Sequence, residues 1–346
     1  MDVAAFLEEI CALPGFSGME GTVAARIAEE FKKYSDNVRI DKMGNVRAIM
    51  GQGGPKVMVA AHMDEVGLLV STVEDNGFIR LFDTYMLDPR ILPGSEVTIW
   101  GMGGKNPLYG VIGVKPPHLT NGPHKAAAVD ELAVDVGLPA EEVRGLVQPG
   151  DMVTFKVPMT RLMNNRVAYK TFDDRACVAC MILAMKELKN YKLDCTIEFV
   201  ATVQEEVGCR GAKVSSYDID PDMAVAFDVC HAITPGTDPW DTVPIEKVSV
   251  AMGPTIHPAM FKRMCDTAKD LKVDIAVEPS FGYTGTDADS VFKTRMGIPT
   301  CLLSLPLSYM HTMVETISLN TCKETGRLLA GFLRSIDEKW EEWLCF

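Results

Sequence analysis

No stretch of about 18 consecutive apolar residues occurs in this sequence, so it offers no candidate transmembrane helix. The first ten residues, from Met1 to Ile10, carry early acids and no basic segment, which argues against a secretory signal. Positive charge is in short supply. Lysine and arginine number 34 against 47 aspartates and glutamates, for a formal net charge of -13 and a pI near 5.0. That balance speaks against nonspecific binding to nucleic acid or to an anionic membrane, and predicts neither as a partner. Paired cysteine motifs are also missing. The 10 cysteines are scattered, and most sit in apolar runs as small hydrophobes do. Cys177-Val178-Ala179-Cys180 has the C-x-x-C spacing but lies in an apparent helix with no second pair, so a zinc-binding or redox motif is not expected there. A reducing, cytoplasmic location fits this usage best. Internal repeats and low-complexity segments are absent.

What is present is a long globular chain. Its 346 residues exceed the ~100–200 of a typical domain, and hydrophobic residues make up 47%. Residues 2–12 and 19–34 read as helices separated by a Pro-Gly and Ser-Gly turn. Segments 38–41 and 46–50 read as a hairpin with Gly44-Asn45 in its connection, followed by an apolar strand leading to His62. From Leu68 to about Val157 the pattern changes to short alternating runs broken by glycine and proline, such as Glu96-Val97-Thr98-Ile99-Trp100, which predicts a small β-barrel or sandwich. An acidic segment from Lys125 to Gly145 suggests a short helix within it. From Asp173 onward helices and strands alternate again, ending in a helix over 319–340. The expected fold is α/β: a central, mostly parallel sheet flanked by helices, formed by residues 1–67 and 158–346, with 68–157 inserted as a β-rich domain.

The chemistry-bearing residues cluster where strands end. His62 and Asp64 follow the strand 56–59, and alternate residues of a strand share a face. An imidazole with a carboxylate two residues on suits a metal ligand and its orienting partner, although such a pair is also a common local hydrogen bond. Asp173-Asp174 precedes a helix and could simply cap it. Glu205-Glu206 follows the strand 195–203, Asp228 ends the next one, and Tyr309-Met310-His311 follows a late one. In an open α/β sheet, sites form beyond the carboxyl ends of the strands. Two histidines and three carboxylates make an oxygen and nitrogen donor set for Zn²⁺, with Co²⁺ or Mn²⁺ as alternatives. Five ligands exceed one tetrahedral zinc and suit two metals sharing a carboxylate and a water. Glu205, a carboxylate beside a ligand, is well placed as general base. For both Glu205 and Glu206 to reach one site, the chain must leave the strand there.

The ordered motifs His62-Met63-Asp64-Glu65, Asp173-Asp174-Arg175, Gln204-Glu205-Glu206-Val207-Gly208, Asp228-Val229 and Met310-His311 resemble the M42 metallo-aminopeptidases, which include glutamyl aminopeptidases and the TET peptidases. Pro14-Gly15-Phe16-Ser17-Gly18 and Gly285-Thr286-Asp287-Ala288 resemble that family's early and late loops. The resemblance implies a dinuclear metal centre. His62 and Asp228 would bind one ion, Glu206 and His311 the other, and Asp173 both. Glu205 would be general base and acid, and Asp64 would orient His62. It further implies removal of the N-terminal residue from short peptides and a homo-oligomer, a dodecamer built from dimers through the inserted domain. Around Asp228 and His311 the sequence departs from the family: Cys230-His231-Ala232-Ile233 stands where a Gly-Asp is usual, and Thr312-Met313 where Ser-Pro is usual. No role falls to His118, His124, His231 or His257. Competing readings are a related zinc hydrolase (deacylase or carboxypeptidase), an endoglucanase as some family members have been labelled, and a non-catalytic scaffold.

Overall fold

A computed structural model describes residues 1–83, 87–104, 106–119 and 126–344; His124 and Cys345 lie outside these. The chain divides into two compact units, Met1–Glu65 with Met159–Met310 and Val314–Phe346, and Val66–Pro158 with His311–Met313.

The first unit is built on an eight-stranded sheet. Its strand order is Asn37–Ile40, Val46–Met50, Thr196–Thr202, Lys56–His62, Met223–His231, Thr300–Leu307, Val248–Met252, Ile275–Pro279. The four strands from Thr196–Thr202 to Thr300–Leu307 run parallel, as does the outer pair Val248–Met252 and Ile275–Pro279. The antiparallel joints are the hairpin formed with Asn37–Ile40, its pairing to Thr196–Thr202, and the step from Thr300–Leu307 to Val248–Met252. The parallel core follows from composition. Val57, Met58, Val59, Ala60 and Ala61 are all buried, an unbroken apolar run that only a strand covered on both faces accommodates. Helices Phe172–Leu188 and Leu319–Arg334 pack together, while Arg210–Ile219 and Ala288–Val291 pack against each other and the sheet. A small antiparallel sheet joins Thr160–Arg161, Arg166–Tyr169 and Glu315–Ser318.

The last long helix stops at Arg334, short of the expected 340, and a separate turn of helix covers Trp340–Leu344. The Ser335 hydroxyl donates back to the Phe332 carbonyl at 2.7 Å, the kind of side-chain bond that competes with helix continuation.

The second unit contains a closed barrel of six strands, in the order Leu68–Val73, Ile79–Asp83, Ala133–Asp135, Asn106–Gly113, Glu96–Trp100, Met152–Phe155. Alternate residues fill it: Leu68 and Val70, Ile79 and Leu81, Val97 and Ile99 are buried together with Ile112, Val134 and Val153. In the acidic segment the helix is confined to Ala140–Leu146, and Ala133–Asp135 is a barrel strand. Among the described residues no helix is long and apolar enough to cross a membrane.

Candidate metal centre

The parallel strands deliver their polar residues to one end of the sheet. Thr202 is the register partner of His62, and Asp228 that of Ser304. Ala60 pairs with Ala226, so His62 and Asp228 come level two residues later. The His62 Nε2 atom lies 3.1 Å from Asp173 Oδ1 and 3.9 Å from Glu205 Oε2, while Nδ1 faces Asp64 Oδ1 at 3.4 Å. Two overlapping donor groups result, His62–Asp174–Asp228 and His62–Asp173–Glu206, each with ligand atoms within 4.8 Å of one another.

Local hydrogen bonds explain how adjacent acids reach the same place. The strand ends at Thr202, and Gln204 takes a left-handed backbone (φ 56°), which turns the chain out of the strand before the two glutamates. Asp64, fully buried, then accepts from the backbone N–H of Glu205 at 3.0 Å and of Glu206 at 3.2 Å, and from the Ser17 hydroxyl at 2.6 Å. Asp173 and Asp174 keep a non-helical backbone at the start of the following helix. Thr171 holds the cap position, the Asp173–Asp174 peptide is cis, and Asp174 Oδ2 accepts from the His62 backbone N–H at 3.1 Å. Glu315 holds the Asp173 backbone N–H at 3.1 Å.

Asp287 and Cys209 also belong to this neighbourhood, forming with Glu205 a third group of close polar atoms. The Cys209 thiol donates to Glu205 Oε1 at 3.1 Å, and the Thr202 hydroxyl to Asp287 Oδ2 at 2.6 Å. The sequence hinted at Asp287 only through the late glycine-containing loop, and nothing in it pointed to Cys209. Glu65 was a motif member without a role. It is buried and holds four donors: Lys170 Nζ at 2.6 Å, the Thr171 hydroxyl at 2.8 Å, Gly15 N–H at 3.0 Å and Arg175 Nη2 at 3.2 Å. His311, with φ 59°, lies in the short segment His311–Met313 of the second unit.

The electrostatics favour an added cation. Burial pushes the carboxyls of Asp174 and Asp228 well above the usual range, and raises Glu205 as well. Asp287 is pushed up to about 7, by burial and then by the Glu205 charge. At His62 burial opposes a positive charge, yet the bonds to Asp173 and Asp64 outweigh it and hold the imidazole pKa well up. Among the described residues, no lysine or arginine pairs with Asp174, Glu205, Asp228 or Asp287. These four buried carboxyl groups near one imidazole, paired with no lysine or arginine among the described residues, fit divalent metal ions. The oxygen and nitrogen donors suit zinc, cobalt or manganese.

Comparison with known proteins identifies the family. The family model described as M42 glutamyl aminopeptidase matches residues 44–328. The lysyl aminopeptidase of Pyrococcus furiosus is 36% identical over 338 residues, covering 95% of this chain and 96% of that protein. An aminopeptidase from the archaeon Desulfurococcus kamchatkensis superposes with a TM-score of 0.93 at 32% identity, covering 99% of this chain and 98% of that one. The Pyrococcus horikoshii TET1 peptidase, described as able to assemble into a tetrahedron or a large octahedral shell, gives 0.87 at 30% identity over 97% and 100% of the two chains. With a matching model over most of its length and full-length relatives above 30% identity, the chain belongs to the M42 peptidase family, hydrolases of peptide bonds.

Proposed function

We propose that the protein is a dinuclear metal-dependent aminopeptidase that removes the N-terminal residue from short peptides. The observation that carries this reading is the pair of donor groups sharing His62, with the Glu205 carboxylate beside them. His62 and Asp228 would hold one ion, Glu206 and His311 the other, and Asp173 would contribute to both; His311 enters this set on the family resemblance. When bound, the ions polarise the scissile carbonyl and acidify the attacking water. Glu205 takes the water proton and passes it to the leaving amine. Its backbone and that of Glu206 are fixed by Asp64, which also faces Nδ1 of His62 and so sets which ring nitrogen is left for the metal. Zinc is the proposed native ion, with cobalt and manganese as replacements.

Chelation tests the metal requirement. Dialysis against a chelator should remove activity toward a free-amino-terminal peptide, and zinc, cobalt or manganese should restore it, with two ions bound per chain. Peptides with an acetylated N-terminus should resist. Full activity after chelation, or equal cleavage of the blocked peptide, overturns the reading and favours a different hydrolase.

We propose further that the protein is cytoplasmic and that chains assemble through the barrel unit into dimers and then a dodecamer. Tyr109, Val111, Val114 and Leu119 of that unit are each about half exposed, which leaves apolar surface to bury. Light scattering coupled to size-exclusion chromatography should give a particle many times the 37.9 kDa chain mass. A monomer rules the assembly out.

A further inference from the structure

The M42 family does not by itself fix which N-terminal residue is removed: its model is described as glutamyl, while a full-length relative is a lysyl aminopeptidase. A second acidic feature of the same sheet bears on this choice. Asp228, Ser304 and Ser249 lie in register across three adjacent strands. Side chains paired in this way share one face of the sheet. Glu278, on the neighbouring edge strand, pairs with Ala251, two residues beyond Ser249, and so belongs to that face as well. Its Oε2 accepts from the Ser249 hydroxyl at 3.0 Å. A polar row thus leads from the candidate metal centre to Glu278, three strands from Asp228.

Glu278 lines a pocket of about 320 Å³, together with Phe281, Tyr283, Thr284 and Leu302. The wall of this pocket runs directly into Gly285-Thr286-Asp287, and Asp287 stands beside Glu205. Thr284 and Gly285 are pinned there by their N–H bonds to Asp289. Pocket and proposed base therefore sit at two ends of one short, anchored loop.

The described residues give Glu278 no close cationic partner, the His231 imidazole acting on it only as a weak, more distant charge. Among the described residues no lysine or arginine forms an ion pair with it; its bonds come from hydroxyl and thiol groups. Burial accordingly pushes its carboxyl up. The Lys293 ammonium lies 5.6 Å from the Tyr283 ring centroid and forms no ion pair with Glu278. A half-buried acid in a pocket bordered by the exposed rings of Phe281 and Tyr283 is suited to a cation carried on an apolar stem. The three strand spacings separating it from Asp228, roughly 14 Å at the backbone, call for a long stem.

We propose that this pocket receives the side chain of the substrate's N-terminal residue, and that Glu278 selects lysine or arginine there. The inference rests on the aminopeptidase reading and adds its substrate class. Removing the pairing charge leaves a hydrogen-bonding pocket of the same shape, so selectivity changes while the pocket remains.

The test uses metal-loaded, full-length protein and the p-nitroanilides of lysine, arginine, leucine and glutamate. Wild type should show the highest kcat/KM on lysine or arginine. In Glu278→Gln the lysine-to-leucine ratio of kcat/KM should fall at least about tenfold, the scale of a charge-assisted bond. A comparison that needs no variant sets lysine hydroxamate against norleucine hydroxamate, which differ only in the ammonium group. The lysine compound should inhibit wild type at least about tenfold more tightly. Preference for leucine or glutamate, an unchanged ratio in Glu278→Gln, or equal inhibition by the two hydroxamates overturns the role of Glu278 and leaves the aminopeptidase reading standing. Failure to cleave any of the four substrates overturns that reading, and this inference with it.

Discussion

Replacing Glu205 with glutamine is expected to lower kcat by about 10²–10⁴-fold, the usual contribution of a positioned general acid–base group. The substitution keeps the size of the side chain and removes its ability to accept a proton. The loop should hold its shape, because backbone N–H groups of residues 205 and 206 bond to Asp64, and glutamine keeps an oxygen to accept from the Cys209 thiol. Glu206 is untouched, so the variant should bind metal in the same stoichiometry as wild type. Steady-state kinetics paired with elemental analysis reads both quantities. Near-normal turnover in a metal-replete variant removes Glu205 from the mechanism. Loss of metal together with turnover instead makes it a ligand.

Glu65→Ala should destabilise the α/β unit by about 3–5 kcal/mol, the cost of breaking a buried ion pair by removing one partner. Glu65 is 3% exposed and stands between Lys170 and Arg175, which are 5% and 0% exposed. Without it two cations would be left in a dry interior. Arg175 would keep only carbonyl acceptors, those of Met63, Ile10 and Leu13. The same cluster joins the early loop, through Gly15, to the residues following the His62 strand and to the start of the helix that carries Asp173. Loosening it should therefore weaken metal affinity as well as stability. Denaturant unfolding followed by far-ultraviolet circular dichroism measures the first, and competition with a chromogenic chelator the second. Glu65→Gln keeps some of the hydrogen bonds and should lie between Ala and wild type. A denaturation midpoint for Glu65→Ala equal to that of wild type removes the cluster from the stability of this unit.

Both expectations depend on residues whose surroundings the sequence discloses unequally. Glu205 and Glu206 are neighbours of the same charge, and one-dimensional pattern gives no means of telling base from ligand. Asp64, 141 residues away from Glu205, supplies the bonds that turn the chain there. Glu65 looks like any acid after a strand until Lys170 and Arg175 are folded onto it. Asp287 and Cys209 are separated by 78 residues, yet the Cys209 thiol reaches the carbonyl beside Asp287, that of Thr286, at 3.4 Å.

The sequence by itself determined the fold class, a buried sheet interrupted by a barrel-like insertion, because runs such as Val57–Ala61 are apolar on both faces and can only be buried, and because alternation from Leu68 onward fits a barrel wall; the order of the strands came from the tertiary structure. It also determined the donor chemistry: imidazole and carboxylate at strand ends, in the sequential order of a peptidase family. The tertiary structure alone decided which acids face one another, which are matched by internal cations, as Glu65 is, and which, among the described residues, pair with no lysine or arginine, as with Glu278, Asp174 and Asp228. Hydrophobic periodicity reports how deep a residue lies. The direction a side chain takes past the end of a strand is set by hydrogen bonds from segments far along the chain, and those exist only after folding.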